Sequence, residues 1–194
     1  MTASKQLWIL TGGNGAGKST FFRLFLAPQG IKLVNADLIA REINPQQPEQ
    51  FSYEAAEIAS RMTRDLLHQN VSFCFETVFS HESKIDFTAE ARAQGYEIIL
   101  VYIHLDTPAL NEARVHQRVT EGGHSVPAEK IKSRIPRTMK HIAAVLPLAN
   151  EARLLDNSSA KNPFKQVALI RRGKCVNAAH PLPQWAKELL ANIL

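Results

Sequence analysis

Short apolar runs of strand length alternate along this chain with longer stretches in which apolar residues recur every three or four positions. That rhythm predicts strands interleaved with helices, an α/β fold on a mainly parallel sheet. Leu7-Trp8-Ile9-Leu10 reads as the first strand, and Thr20 to Leu26 as a buried helix. Ile31 to Val34 reads as a second strand ending at Asn35-Ala36-Asp37, and Pro45 and Pro48 mark the polar stretch beyond it as a loop. Ala55, Ile58, Ala59, Met62 and Leu66 fall on one helical stripe, which predicts a helix over 52–68 with Met62 in the core. Val71 to Phe75 is a third strand, after which Ser80 is expected to cap a helix that Gly95 closes. Glu97 to Ile103 is apolar almost throughout, as suits a strand covered on both faces.

The second half follows the same rhythm. Asp106-Thr107-Pro108 opens a helix that runs to about Thr120, where Glu121-Gly122-Gly123-His124 breaks it. A helix over 128–146 carries Ile131, Ile135, Met139, Ile142 and Leu146, and Pro136 is expected to kink or split it. Arg153-Leu154-Leu155 is the last strand before Asp156-Asn157-Ser158; a hairpin about Gly173 and a terminal helix over 183–193 complete the chain. Its 194 residues make one domain, 1–194, with room for a small lid at about 112–146.

One segment gives this scaffold a chemistry. Gly12-Gly13-Asn14-Gly15-Ala16-Gly17-Lys18-Ser19 matches the phosphate-binding pattern G-x-x-x-x-G-K-[ST] without a gap, between a strand and a helix. Glycines let backbone N–H groups turn inward on phosphate oxygens, and the following helix N-terminus adds its dipole. Lys18 is expected at the β- and γ-phosphates and Ser19 at Mg²⁺, with Thr20 closing the nucleotide-binding run. In an open parallel sheet, ligands bind beyond the C-terminal strand ends. Polar residues stand at those ends: Asp37, Glu76-Thr77, Asp106 and Asp156-Asn157. Asp106 is expected to do no more than end a strand and cap a helix, whereas Asp37 suits a base for an acceptor hydroxyl and Glu76 a contact to acceptor or metal-bound water. Cations for the transferring phosphoryl group are expected from Arg114, Arg118, Lys130, Lys132, Arg134 and Arg137, which bracket the glycine turn as a closing lid would. Arg118 and Arg134 are favoured among them. His104, inside a strand, reads as a core residue; His124 sits in the turn.

Composition narrows the partners. Lys and Arg outnumber Asp and Glu by 23 to 18, a net charge of +5 that polyanionic small substrates explain more simply than nucleic acid, since no basic run or reading motif occurs. No apolar run approaches a membrane span, and neither Cys74 nor Cys175 belongs to a C-x-x-C pair, so a reduced, cytoplasmic protein is expected.

Taken together, the Gly12 to Thr20 run, Asn35-Ala36-Asp37, Phe75-Glu76-Thr77, Gly122-Gly123-His124-Ser125-Val126-Pro127 and Asp156-Asn157-Ser158 resemble the zeta-toxin family of P-loop kinases, over about residues 7–158. The resemblance implies a three-layer, nucleoside-kinase-like fold and ATP-dependent phosphorylation of a sugar hydroxyl, of UDP-N-acetylglucosamine in the toxins. It implies Lys18 and Ser19 at nucleotide and metal, Asp37 as base, Glu76 and Thr77 at the acceptor, Arg118 and Arg134 on the γ-phosphate, and an antitoxin as partner. Another small-metabolite kinase and a non-catalytic nucleotide switch are the alternatives.

Overall fold

In the computed structural model, which describes residues 4–120 and 126–193, seven strands form one sheet in the order β2-β3-β1-β4-β5-β6-β7. They are β1 (Gln6–Gly12), β2 (Lys32–Asn35), β3 (Phe73–Thr77), β4 (Glu97–His104), β5 (Glu151–Asp156), β6 (Lys165–Arg171) and β7 (Lys174–Ala178). The first five run parallel and the last two antiparallel. The helices are α1 (Lys18–Phe21), α2 (Ala36–Ile43), α3 (Ser52–His68), α4 (Ser83–Ala93), α5 (Pro108–Thr120), α6 (Ala128–Val145) and α7 (Gln184–Leu189).

Side-chain alternation along β1 and β4 divides the core in two. Leu7, Ile9, Ile98, Leu100 and Tyr102 face one cluster, where α3, α4, α6 and α7 supply Ala59, Phe87, Ile142 and Trp185. Trp8, Leu10, Ile99, Val101 and Ile103 face the other, with Ala16, Phe21 and Leu26. A strand buried on both faces must be apolar at every position, which is why β4 is legible as a continuous run.

Several expectations need correction. Asn35 does not lead into a loop: its side chain accepts hydrogen bonds from the backbone N–H groups of Asp37 (2.7 Å) and Leu38 (3.3 Å), capping α2. Met62 is exposed, because the buried stripe of α3 is Ala55, Ala59, Thr63 and Leu67, one position further round the helix. The helix expected over Thr20 to Leu26 is buried only at Phe21 and Leu26; α1 passes into a π-helical turn, Phe22–Leu26, that leaves Leu24 and Phe25 exposed. Ser80 does not cap α4; the N–H of Ser83 donates instead to His81 Nδ1 (3.2 Å). Helix α6 runs through Pro136 as one element, held on both sides of the proline by buried Ile131, Thr138, His141, Ile142 and Val145. The turn expected to break α5 at Glu121-Gly122-Gly123-His124 lies outside the described residues. The hairpin turns as expected: Arg172 and Gly173 both have positive φ, the geometry of a two-residue loop that matches strand twist.

Candidate active site

The loop between β1 and α1 is built by close approaches that only glycine permits. At Gly17 φ is +98°, and a Cβ there would meet Asn157 Nδ2 at 2.6 Å; at Gly12 it would meet the Ile103 carbonyl at 2.3 Å. Lys18 Nζ donates to the carbonyls of Gly12 (3.0 Å) and Gly13 (3.1 Å) across the loop. Two asparagines brace the loop from outside. Asn111 of α5, 2% exposed, donates its Nδ2 to the Asn14 carbonyl at 2.7 Å, and Asn157 donates to the Ala16 carbonyl at 2.9 Å.

A cleft of about 420 Å³ opens over this loop, lined by Asn14, Gly15, Gly17, Lys18, Ser19 and Thr20 on the floor and by Asp37 and Glu76 on one side. Arg114, Gln117, Asn157, Ser159, Ala160, Pro163 and Phe164 complete the lining, and the Phe164 ring lies against the loop, 3.4 Å from where a Cβ on Gly17 would stand. The strand ends β2, β3 and β5 thus converge on the phosphate loop, as the parallel sheet predicts. Ser19 Oγ donates to the Glu76 carboxylate at 3.1 and 3.3 Å. Hard oxygen donors of this kind, a hydroxyl and a carboxylate beside a phosphate cradle, suit Mg²⁺.

A second cavity of about 230 Å³ lies beside the first, lined by Asn14, Asp37, Ala40, Pro48, Glu49, Ser52, Val126, Pro127, Lys130 and Arg134. Asp37 and Asn14 border both spaces. Arg134 Nη1 comes within 3.5 Å of Asn14 Oδ1.

Not every expected residue reaches these cavities. Thr77 accepts the Phe79 N–H at 3.1 Å and shapes its own loop, lining neither. Arg118 is in α5, but its side chain lies outside the described residues, as does His124. Among the described cations Arg114 faces the larger cleft and donates to the Asn157 carbonyl at 2.8 Å. Asn111, Gln117 and Phe164 escaped the sequence reading. A buried asparagine on an amphipathic helix was the available signal for Asn111; Phe164 had none, since its place depends on the chain returning after β5.

His104 ends β4 as a buried residue. Its Nδ1 lies 3.0 Å from the Tyr102 hydroxyl, and its ring stacks on Trp185 at 4.3 Å. Burial lowers its pKa from 6.5 to about 4, against the pull of Asp156 and Asp106, so the imidazole is neutral in the folded protein. Between those pH values the unfolded chain binds a proton that the native state refuses. Stability is therefore expected to fall, by about 3 kcal/mol from this group, as pH drops from 6.5 towards 4. Urea unfolding of His104→Gln should show a pH dependence shallower by that amount over the same window.

Solved structures with this fold include a chain of the AvrRxo1-ORF1:-ORF2 complex with ATP, at a TM-score of 0.73 and 18% identity, covering 99% of this chain and 64% of that one. The chain thus spans less than two thirds of the length of that protein. Another, from the PezAT chromosomal toxin-antitoxin system of Streptococcus pneumoniae, has a TM-score of 0.66 at 15% identity, covering 98% of this chain and 84% of that one. An uncharacterized protein of Haemophilus influenzae is 31% identical over 137 residues, 67% of this chain and 97% of that protein. The architecture is the three-layer P-loop kinase-like fold, and residues 7–138, which carry the phosphate loop and the ends of β2 and β3 beside it, match the AAA domain family. This chain belongs to that family.

Proposed function

We propose that this protein is an ATP-dependent phosphotransferase of the cytoplasm that moves the γ-phosphoryl group of ATP to a hydroxyl of a small molecule. The observation that carries this reading is the position of Asp37, which borders both the phosphate-loop cleft and the smaller cavity. A nucleotide on the loop and a hydroxyl in the second cavity would meet at that carboxylate.

The division of labour follows from the residues present. Backbone N–H groups of the loop and the α1 N-terminus receive phosphate oxygens, and Lys18 neutralises charge at the β- and γ-positions. Ser19 and Glu76 would hold Mg²⁺, which when bound supplies further charge neutralisation on those oxygens. Arg114, Pro163 and Phe164, which line the same cleft, would contact the rest of the nucleotide. Asp37 accepts the proton of the acceptor hydroxyl as its oxygen bonds to the γ-phosphorus and the bond to the β-phosphate oxygen breaks, releasing ADP. Arg134, on the acceptor side, offsets charge on the transferring group. The lid reading adds Arg118 of α5 as a further cation for the transferring phosphoryl group.

Two acceptor classes fit this chemistry. The zeta-toxin resemblance, supported by the toxin-antitoxin neighbour, favours a sugar nucleotide such as UDP-N-acetylglucosamine and an antitoxin partner; the modest volume of the second cavity favours a smaller metabolite. ADP release and phosphorus NMR with ATP·Mg²⁺ and a panel of hydroxyl compounds test the proposal. Transfer to at least one acceptor is expected, and nucleotide binding without transfer to any would leave a nucleotide switch. Arg134→Ala should lower the transfer rate by about two orders of magnitude with circular dichroism unchanged; wild-type turnover would reduce Arg134 to a solvated surface residue.

A further inference from the structure

The smaller cavity carries more information about its occupant than its volume alone. It draws on four separated parts of the chain: Asn14 from the phosphate loop, Asp37 and Ala40 from α2, Pro48, Glu49 and Ser52 from the turn into α3, and Val126, Pro127, Lys130 and Arg134 around the start of α6. At about 230 Å³ it is smaller than the roughly 300–1,000 Å³ of pockets that enclose drug-sized ligands. A nucleoside diphosphate sugar exceeds that space. No aromatic side chain is among the described residues that line it, so a pyrimidine base would lack a stacking surface there.

Its polar groups are sorted. Asp37, Glu49, Ser52 and Asn14 offer oxygen acceptors suited to hydroxyl groups, while Ala40, Pro48, Val126 and Pro127 offer apolar walls for the carbon faces between them. Lys130 adds a second cation beyond Arg134, one turn earlier on the same helix. If Arg134 serves the transferring phosphoryl group, Lys130 is left to face the acceptor, and a lysine there matches a fixed negative charge on it.

We infer that the acceptor is a compact polyhydroxylated anion, a sugar acid or a sugar monophosphate, with its charged group on Lys130 and the reacting hydroxyl at Asp37. This rests on the phosphotransferase reading and narrows it. In the step, the acceptor oxygen gains the γ-phosphorus, its proton passes to Asp37, and ADP leaves with the electron pair of the broken P–O bond.

The test is a kinetic panel on the full chain with ATP·Mg²⁺: D-gluconate and D-glycerate as sugar acids, glucose 6-phosphate as a monophosphate, D-glucose and glycerol as neutral counterparts, and UDP-N-acetylglucosamine. A carboxylate or a monophosphate is expected to give the highest kcat/KM, and the two arms tell the sources of the charge apart. Lys130→Gln is then expected to raise KM for that anion by about tenfold or more, with KM for ATP unchanged and no comparable effect on a neutral polyol. Higher kcat/KM for UDP-N-acetylglucosamine or for a neutral sugar overturns the inference while leaving the phosphotransferase intact. So does an equal effect of Lys130→Gln on charged and neutral acceptors. Binding of ATP·Mg²⁺ without transfer to any compound overturns both.

Discussion

Replacing Lys18 by alanine is expected to abolish ATP-dependent activity. The residue is only 9% exposed, and its ammonium group is anchored at the carbonyls of Gly12 and Gly13. That position, at the mouth of the loop, fixes a positive charge where the β- and γ-phosphates would lie, and a fixed charge needs no reorganisation when negative charge shifts towards the leaving oxygen. Alanine removes the charge and leaves the two carbonyls without this donor. Turnover should fall by about three orders of magnitude or more, and calorimetric affinity for ATP·Mg²⁺ should weaken as well. A melting temperature measured alongside separates lost binding from lost folding, and Lys18→Met, which keeps the stem without the charge, serves as a second variant. Unchanged affinity together with unchanged turnover in both variants would remove the phosphate loop from the mechanism.

The parts of this molecule that could be read in the sequence are those in which local chemistry decides the outcome. A phosphate loop needs its glycines wherever it occurs, as the clashes at Gly12 and Gly17 show, so it announces itself in one line of sequence. Strands β1 and β4 are buried on both faces and are therefore apolar at successive positions. Helix α3 was visible as a helix, but its buried face was misjudged by one position, because Thr63 supplies part of the stripe and hydrogen-bonds the Ser60 carbonyl at 2.8 Å, leaving Met62 outside. Helix α2 has a recognisable start at Asn35 and Asp37, but it is only eight residues long with Ala40 alone buried, so its apolar stripe is too short to read from the sequence. The second cavity could not be read at all. Its walls come from positions 14, 37–52 and 126–134, and only the strand order and the path of α6 bring them together. Phe164 belongs to the same class, a tertiary neighbour of the loop with no mark in local sequence.

Asp37→Ala is expected to separate nucleotide binding from transfer. Helix α2, capped by Asn35, sets Asp37 in its first turn, where it lines both the phosphate-loop cleft and the cavity in which the acceptor hydroxyl is proposed to lie. A residue that acts on the acceptor contributes to the transition state and little to ground-state affinity for ATP. Loss of the carboxylate should lower transfer by about 10²–10⁴-fold, the usual contribution of a general base, while the fold, capped by Asn35 and not by Asp37, survives. The most direct measurement pairs calorimetric titration of Asp37→Ala with ATP·Mg²⁺ and phosphorus NMR of transfer to the best acceptor of the wild-type protein. Near wild-type affinity with transfer reduced to a small fraction is the predicted result. Loss of ATP binding, or transfer at the wild-type rate, would contradict it: the first would make Asp37 a nucleotide or metal ligand, and the second would leave the junction of the two cavities without a chemical role.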